Sequence, residues 1–231
     1  MLQELEKELN LLADKERAAL CQRYFKTGKG EYGEGDVFLG ITSKNQRQIA
    51  KKFKELKISE VQELLNSKVH EKRQIALFVL VEKFKKADET EKKDIFEFYL
   101  KNAEKINNWD LVDLSAPNII GTFLLDKERK VLYGLAKSDN LWEKRISIIS
   151  TAAFIRNNDF EDTIKISEIL LKDKHDLIHK AVGWMLREIG KRDEDCLIRF
   201  LNKNYKEMPR TMLRYAIEKF DEEKRKDYLT R

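Results

Sequence analysis

The chain has 231 residues, enough to bury a real core as one or two domains, and is expected to form a single domain over 1–231. Charged residues make up 38% and hydrophobic residues 42%, with two prolines and nine glycines, so few positions force a helix to stop. No apolar run approaches the ~18–20 residues that span a bilayer, and the acidic, periodic start MLQELEKELNLLADKER does not read as a signal peptide.

Cys21 and Cys196 are far apart and belong to no CxxC spacing, so two free thiols in a reducing cytoplasm are expected. The net charge of +5, from 46 Lys+Arg against 41 Asp+Glu, permits a nucleic-acid partner without arguing for one.

In chain order the sequence reads as helices joined by short connections. Leu2, Leu5, Leu9 and Leu12 mark a first amphipathic helix, and a second runs from Arg17 to Lys26. The glycine-rich passage Gly28 to Gly40 follows, GKGEYGEGDVFLG. It holds the letters of GxGxxG at Gly28, Gly30 and Gly33, but no strand precedes it, and Glu31, Glu34 and Asp36 would repel a pyrophosphate. It is a long loop, not a dinucleotide site.

Ser43 is expected to cap a helix running to about Leu56, and Ser59 the next, with Gln62 at the capping-box position. His70 to Lys86 is strongly apolar on one side, and Asp88 to Lys101 follows it. The stretch Asn107 to Pro117, NNWDLVDLSAP, reads as a helix with Pro117 placed to open another. Helices are then expected at Glu128 to Lys137, Asn140 to Arg156, Asp159 to Lys172, His175 to Lys191, Asp193 to Asn204 and Arg210 to Phe220. No strand is expected, so the fold class is all-α.

An internal repeat runs through these helices. Arg73, Trp109, Arg145 and Lys180 open equivalent segments with a period near 36 residues, two helices each time. That period is the signature of an α-solenoid with a concave binding face. The column four residues on holds Leu77, Asp113, Ile149 and Trp184. Equivalent positions of stacked repeats form stripes, so Trp109, Asp113, Arg145 and Trp184 are expected to cluster on one groove. Trp109 and Asp113 share a helix face at a spacing of four, although aspartate is rarely buried without a partner.

These residues carry a family resemblance. RYFKT near Tyr24, NNWDLVDLSAP around Trp109 and Asp113, NLWEKR ending at Arg145, and AVGWMLRE around Trp184 and Arg187 follow one another along nearly the whole chain. Together they resemble the AlkD-type DNA alkylation-repair glycosylases, which are built of HEAT-like helical repeats. The resemblance implies hydrolysis of the N-glycosidic bond of N3- or N7-alkylated purines in double-stranded DNA, without a cofactor or metal. It implies Asp113 as catalytic carboxylate, Trp109 and Trp184 flanking the deoxyribose, and Arg145 on phosphate. Ser43, Arg47 and Arg187 are the further DNA-binding candidates, with Tyr24 near the lesion. It also implies recognition through a deformed backbone, with little capture of the base in a pocket, and the solenoid is expected to act as a monomer.

The chemistry suits those residue types. A cationic alkylpurine leaves as a neutral base, and an oxocarbenium-like sugar develops, as in other glycoside cleavages. A carboxylate stabilises that cation or orients water, and indole faces attract it. Two rivals differ in class. One is a non-catalytic helical-repeat module for bent or branched DNA; the other is a peptide-binding solenoid, against which the cation column argues. His175 and His179, four apart, lack a visible third metal ligand and read as surface residues near a helix start. Cys196 reads as core packing, and the charge runs Lys51–Lys54 and Glu222–Lys226 as solvated faces.

Overall fold

The computed structural model describes residues 1–230, which are all-α: among them the β-structure is one isolated parallel bridge, Val37 to Val69. Backbone contacts sort into two compact units, Met1–Ser115 and the residues from Ala116 onward.

The first unit runs α1 (Leu2–Leu12), α2 (Lys15–Tyr24), the long loop, α3 (Ser43–Lys52), α4 (Ile58–Leu65), α5 (His70–Lys86), α6 (Glu89–Lys101), a 3-10 turn and α7 (Trp109–Ser115). Its centre is α5. The run Ile75, Ala76, Leu77, Val79, Leu80 is fully buried, because α3, α4, α6 and α7 all pack on this one helix. Each of the larger aliphatic side chains in that run contributes about 1.5–3 kcal/mol by leaving water. Asp88 caps α6 by accepting from the Glu91 amide, and Glu91 reaches back to the Asp88 amide.

The second unit opens on a π-helical turn at Pro117–Gly121. It continues through α8 (Lys130–Ala136), α9 (Leu141–Ser150), α10 (Ala152–Arg156), α11 (Glu161–Ile169), α12 (Asp176–Gly190), α13 (Glu194–Asn204), α14 (Arg210–Ala216) and α15 (Glu222–Thr230). Here α12 is central, packed by α9, α11, α13 and α14. Gly183 lets α14 come close: a Cβ there would stand 2.5 Å from the Met212 carbonyl oxygen.

Within each unit, first helices pack on second helices (α4 on α5, α8 on α9, α11 on α12), and second helices pack side by side (α5 beside α7, α9 beside α12). That is the packing of an α-solenoid of helical hairpins. The repeat segments of Arg73, Trp109, Arg145 and Lys180 fall on α5, α7, α9 and α12, the second helices, as their period requires.

Several boundaries differ from the sequence-based expectation. Thr42, not Ser43, caps α3: its hydroxyl accepts from the Asn45 amide, and the helix stops at Lys52. Ser59 is not a cap either. The fourth helix starts at Ile58, and the Glu60 carboxylate accepts from the Lys57 amide. The helix expected from Asn140 to Arg156 is two, because the chain breaks at Thr151. The Glu222–Lys226 run is a solvated face, as expected, but it opens a further helix, α15, which buries Tyr228.

Candidate functional site

The seven-residue helix α7 follows two asparagines. Asn108 is fully buried, and its side-chain oxygen accepts from the Trp109 amide, which defines the helix start. One turn on stands Asp113. Both line a cavity of about 690 Å³ in the first unit, and so do Tyr24, Ser43 and Arg47. Five side chains picked from sequence thus converge from α2, α3 and α7.

The cavity wall is aromatic. The Trp109 indole stacks on Phe25 with centroids 5.4 Å apart, and Tyr24 meets it edge-on at 6.0 Å. Phe25 in turn stacks on Phe38 at 5.0 Å, and Phe38 on the His70 imidazole at 4.6 Å. Tyr24 is exposed, and Arg47 lays its guanidinium 4.8 Å from the Phe78 ring centroid. With Thr42 capping α3, Ser43 lies in the first helical turn, exposed beside the amide-rich end that favours anions.

Beneath the wall lies a buried charge cluster. His70 Nδ1 is 3.1 Å from Asp36 Oδ2, and Nε2 is 2.8 Å from Asp110 Oδ2. An ionised carboxylate only accepts, so both ring nitrogens donate and the ring is an imidazolium. Arg73 donates to the same Asp36 oxygen at 2.7 Å, and Gln74 to the same Asp110 oxygen at 2.7 Å. Burial alone would pull the His70 pKa down. The bonds to Asp110 and Asp36 outweigh it and lift the group to about 9. Asp110 Oδ1 and Gln46 Oε1 are buried without hydrogen-bond partners, and both residues line the cavity.

The glycine-rich loop is fastened to this cluster. Asp36 is its anchor, and the buried Glu71 carboxylate accepts from the amides of Leu39, Gly40 and Ile41. Gly33 packs so near the end of α2 that a Cβ would lie 2.4 Å from the Phe25 carbonyl oxygen.

The other candidates belong to the second unit. Trp184 on α12 is half-buried and donates its indole N–H to Glu188 at 3.2 Å. Arg187 pairs with Glu218 and lies 3.6 Å from Glu188. Arg145 is 4% exposed and donates to the Leu177 carbonyl at 2.7 Å.

The column of cations is not a stripe on an open face. Arg73 and Arg145 are buried, and Lys180 pairs with Asp176 at 2.7 Å. The period located their helices correctly but could not say which way each long side chain turns, and a nearby carboxylate or carbonyl decides that. The histidines of α12 are also more engaged than expected. His175 caps the helix by accepting from the Leu177 amide, and His179 Nε2 lies 2.6 Å from the Asp173 carbonyl oxygen. Cys21 and Cys196 are free thiols whose pKa burial raises, so neither is an activated thiolate.

Sequence reasoning missed Asp36, His70, Asp110 and the ring stack of Phe25 and Phe38. A faint signal existed. Asp110 adjoins Trp109, and a histidine opens a helix with a long apolar run, Ile75 to Val81, where a polar ring needs partners from elsewhere. Those partners lie 34 and 40 residues away, which no local pattern reveals.

An all-α helical-hairpin protein with an acid and an aromatic wall at one cavity defines a narrow class. The sequence pattern of the DNA alkylation repair enzyme family matches residues 5–220, and the chain belongs to that family. A solved structure described as a predicted DNA alkylation repair enzyme from Enterococcus faecalis has the same fold. It superposes with a TM-score of 0.71 at 15% identity, over 91% of this chain and 97% of the other. No curated protein sequence matches significantly.

Proposed function

We propose that this DNA alkylation repair enzyme is a glycosylase, hydrolysing the N-glycosidic bond of N3- or N7-alkylated purines in duplex DNA. The observation that supports this best is the placement of Trp109 and Asp113 on one face of α7, opening on a cavity shared with Tyr24, Ser43 and Arg47. In this reading the Asp113 carboxylate faces the anomeric carbon as the bond to the cationic base breaks. At ~4 Å and an effective dielectric of ~20, its attraction for the developing oxocarbenium ion is about 4 kcal/mol. Felt only in the transition state, that is roughly a thousandfold in rate.

The Trp109 face excludes water and attracts the cationic sugar, and Trp184 takes the corresponding role on α12. Ser43 and Arg47 bind backbone phosphate, and so, in this proposal, do Arg145 and Arg187. Tyr24 lies near the lesion. Base departure as a neutral purine needs no strong acid, and Asp113 also orients the attacking water. The protein works as a monomer on DNA, and its two free cysteines suit a reducing compartment.

The test is release of 3-methyladenine and 7-methylguanine from methylated duplex DNA, wild type beside Asp113→Asn. Release by the wild type, reduced about a thousandfold in the variant, supports the proposal. DNA binding without release by the wild type replaces it with the non-catalytic module.

A further inference from the structure

The reaction as described leaves two features of the first unit without a role: the buried charge cluster under α7 and the long loop fastened to it. They are one device. His70 is 2% exposed and bonded on both ring nitrogens. One bond holds Asp36 of the loop, the other Asp110 in the first turn of α7. Asp110 adjoins Trp109 and lies less than one turn before Asp113, so the backbone that carries both side chains is tied to His70. A second linkage runs through the rings: Phe38 stacks on the imidazole, Phe25 on Phe38, and Trp109 on Phe25.

We propose that His70 is a positioning residue for excision: clamped between Asp36 and Asp110, it sets where Trp109 and Asp113 stand in the cavity. The inference rests on the glycosylase proposal above. It also gives the Gly28–Gly40 loop a function, since that loop supplies one carboxylate of the clamp and, through Phe38, one ring of the stack.

The clamp needs both ring protons. The charged groups acting on His70 are Asp36 from the loop, Asp110 from α7 and Arg73 from α5, and Glu71 of α5 lines the same cavity. Arg17 and Cys21 of α2, Arg47 of α3 and Asp113 share its cavity. The two carboxylates that touch the ring outweigh the rest and keep it charged to about pH 9. Above that one bond loses its proton, and Asp36 or Asp110 is released.

The experiment measures single-turnover release of 7-methylguanine with saturating enzyme, together with duplex affinity, for wild type, His70→Gln and Asp110→Asn. A ~1 Å misplacement of reacting groups costs up to about a hundredfold. His70→Gln is therefore expected to lose roughly ten- to a hundredfold in rate while the duplex Kd changes less than about threefold. A rate within about twofold of wild type overturns the proposal.

A variant that merely folds poorly is told apart by the pH profile of Asp110→Asn. The wild-type rate is expected to fall through an alkaline limb near pH 9, and that limb moves to lower pH once one carboxylate is neutral. An unmoved limb, or a flat wild-type profile, overturns the clamp.

The protonation itself is read by proton NMR. The chain has three histidines, so the His70 ring signal is the one missing in His70→Gln. The Trp109 indole signal is expected to shift in step with its titration, and an indole that ignores it also overturns the clamp. Absence of release by the wild type would instead defeat the glycosylase proposal, with the indole shift still judging the clamp separately.

Discussion

At the scale of single residues, the energetics centre on His70. Its folded-state pKa of about 9 lies above the ordinary 6.5, so protonation is linked to folding. The stabilisation is fully present below about pH 6.5 and is lost as pH rises through about 9. Thermal melts across that window should show the wild-type midpoint falling with pH, and His70→Gln falling less. Equal slopes would mean that the ring does not titrate as the geometry requires. The arginines separate in the same way. Arg47 is exposed and packs on Phe78, with its charge open to solvent. Arg187 already faces Glu218 and Glu188. Arg47→Ala should lower the slope of log K against log salt for duplex binding by about one. Arg187→Ala should lower it less, because DNA must first displace the glutamates. Binding titrations at several salt concentrations decide between these slopes.

At the scale of elements, caps and glycines control how the site is presented. The hydroxyl that starts α3 belongs to Thr42, and Thr42→Ala should cost about 1 kcal/mol of stability in denaturant unfolding. Ser43→Ala should cost much less there, while weakening DNA binding if its place in the first turn is used. Gly40 has φ +80°, and a Cβ there would lie 2.1 Å from the Asp14 carbonyl oxygen. Gly40→Ala should therefore destabilise by more than about 1 kcal/mol, measured by the same unfolding curves. Helix existence was legible at this scale, since apolar periodicity marks α1, α12 and α13 plainly. Cap identity was not. Adjacent Thr42 and Ser43 are equivalent cap formers in one dimension, and only the backbone angle of Thr42, ψ 147°, separates them.

At the scale of the whole molecule, the balance of charges matters more than its sum. Many of the cations counted toward the net +5 are spent on neighbouring carboxylates. Binding to a polyanion should accordingly be moderate. Retention on heparin is expected at low ionic strength and lost by about 0.5 M salt through counterion competition. No helix among the described residues is long and apolar enough to cross a membrane.

The sequence by itself determined the all-α class, the paired helices and the second-helix position of the four repeat segments, because each follows from periodicity along the chain. It also put Tyr24, Ser43, Arg47, Trp109 and Asp113 on one list, and these five line one cavity. Tertiary structure alone decided how the polar side chains are used. Arg73 turns inward to Asp36, Arg145 to the Leu177 carbonyl, and His70 bridges Asp36 and Asp110 across 34 and 40 residues. The physical reason is the cost of burying a charge. A long cationic side chain takes whichever carboxylate or carbonyl the fold brings within about 3 Å, and that partner is set by packing, not by spacing.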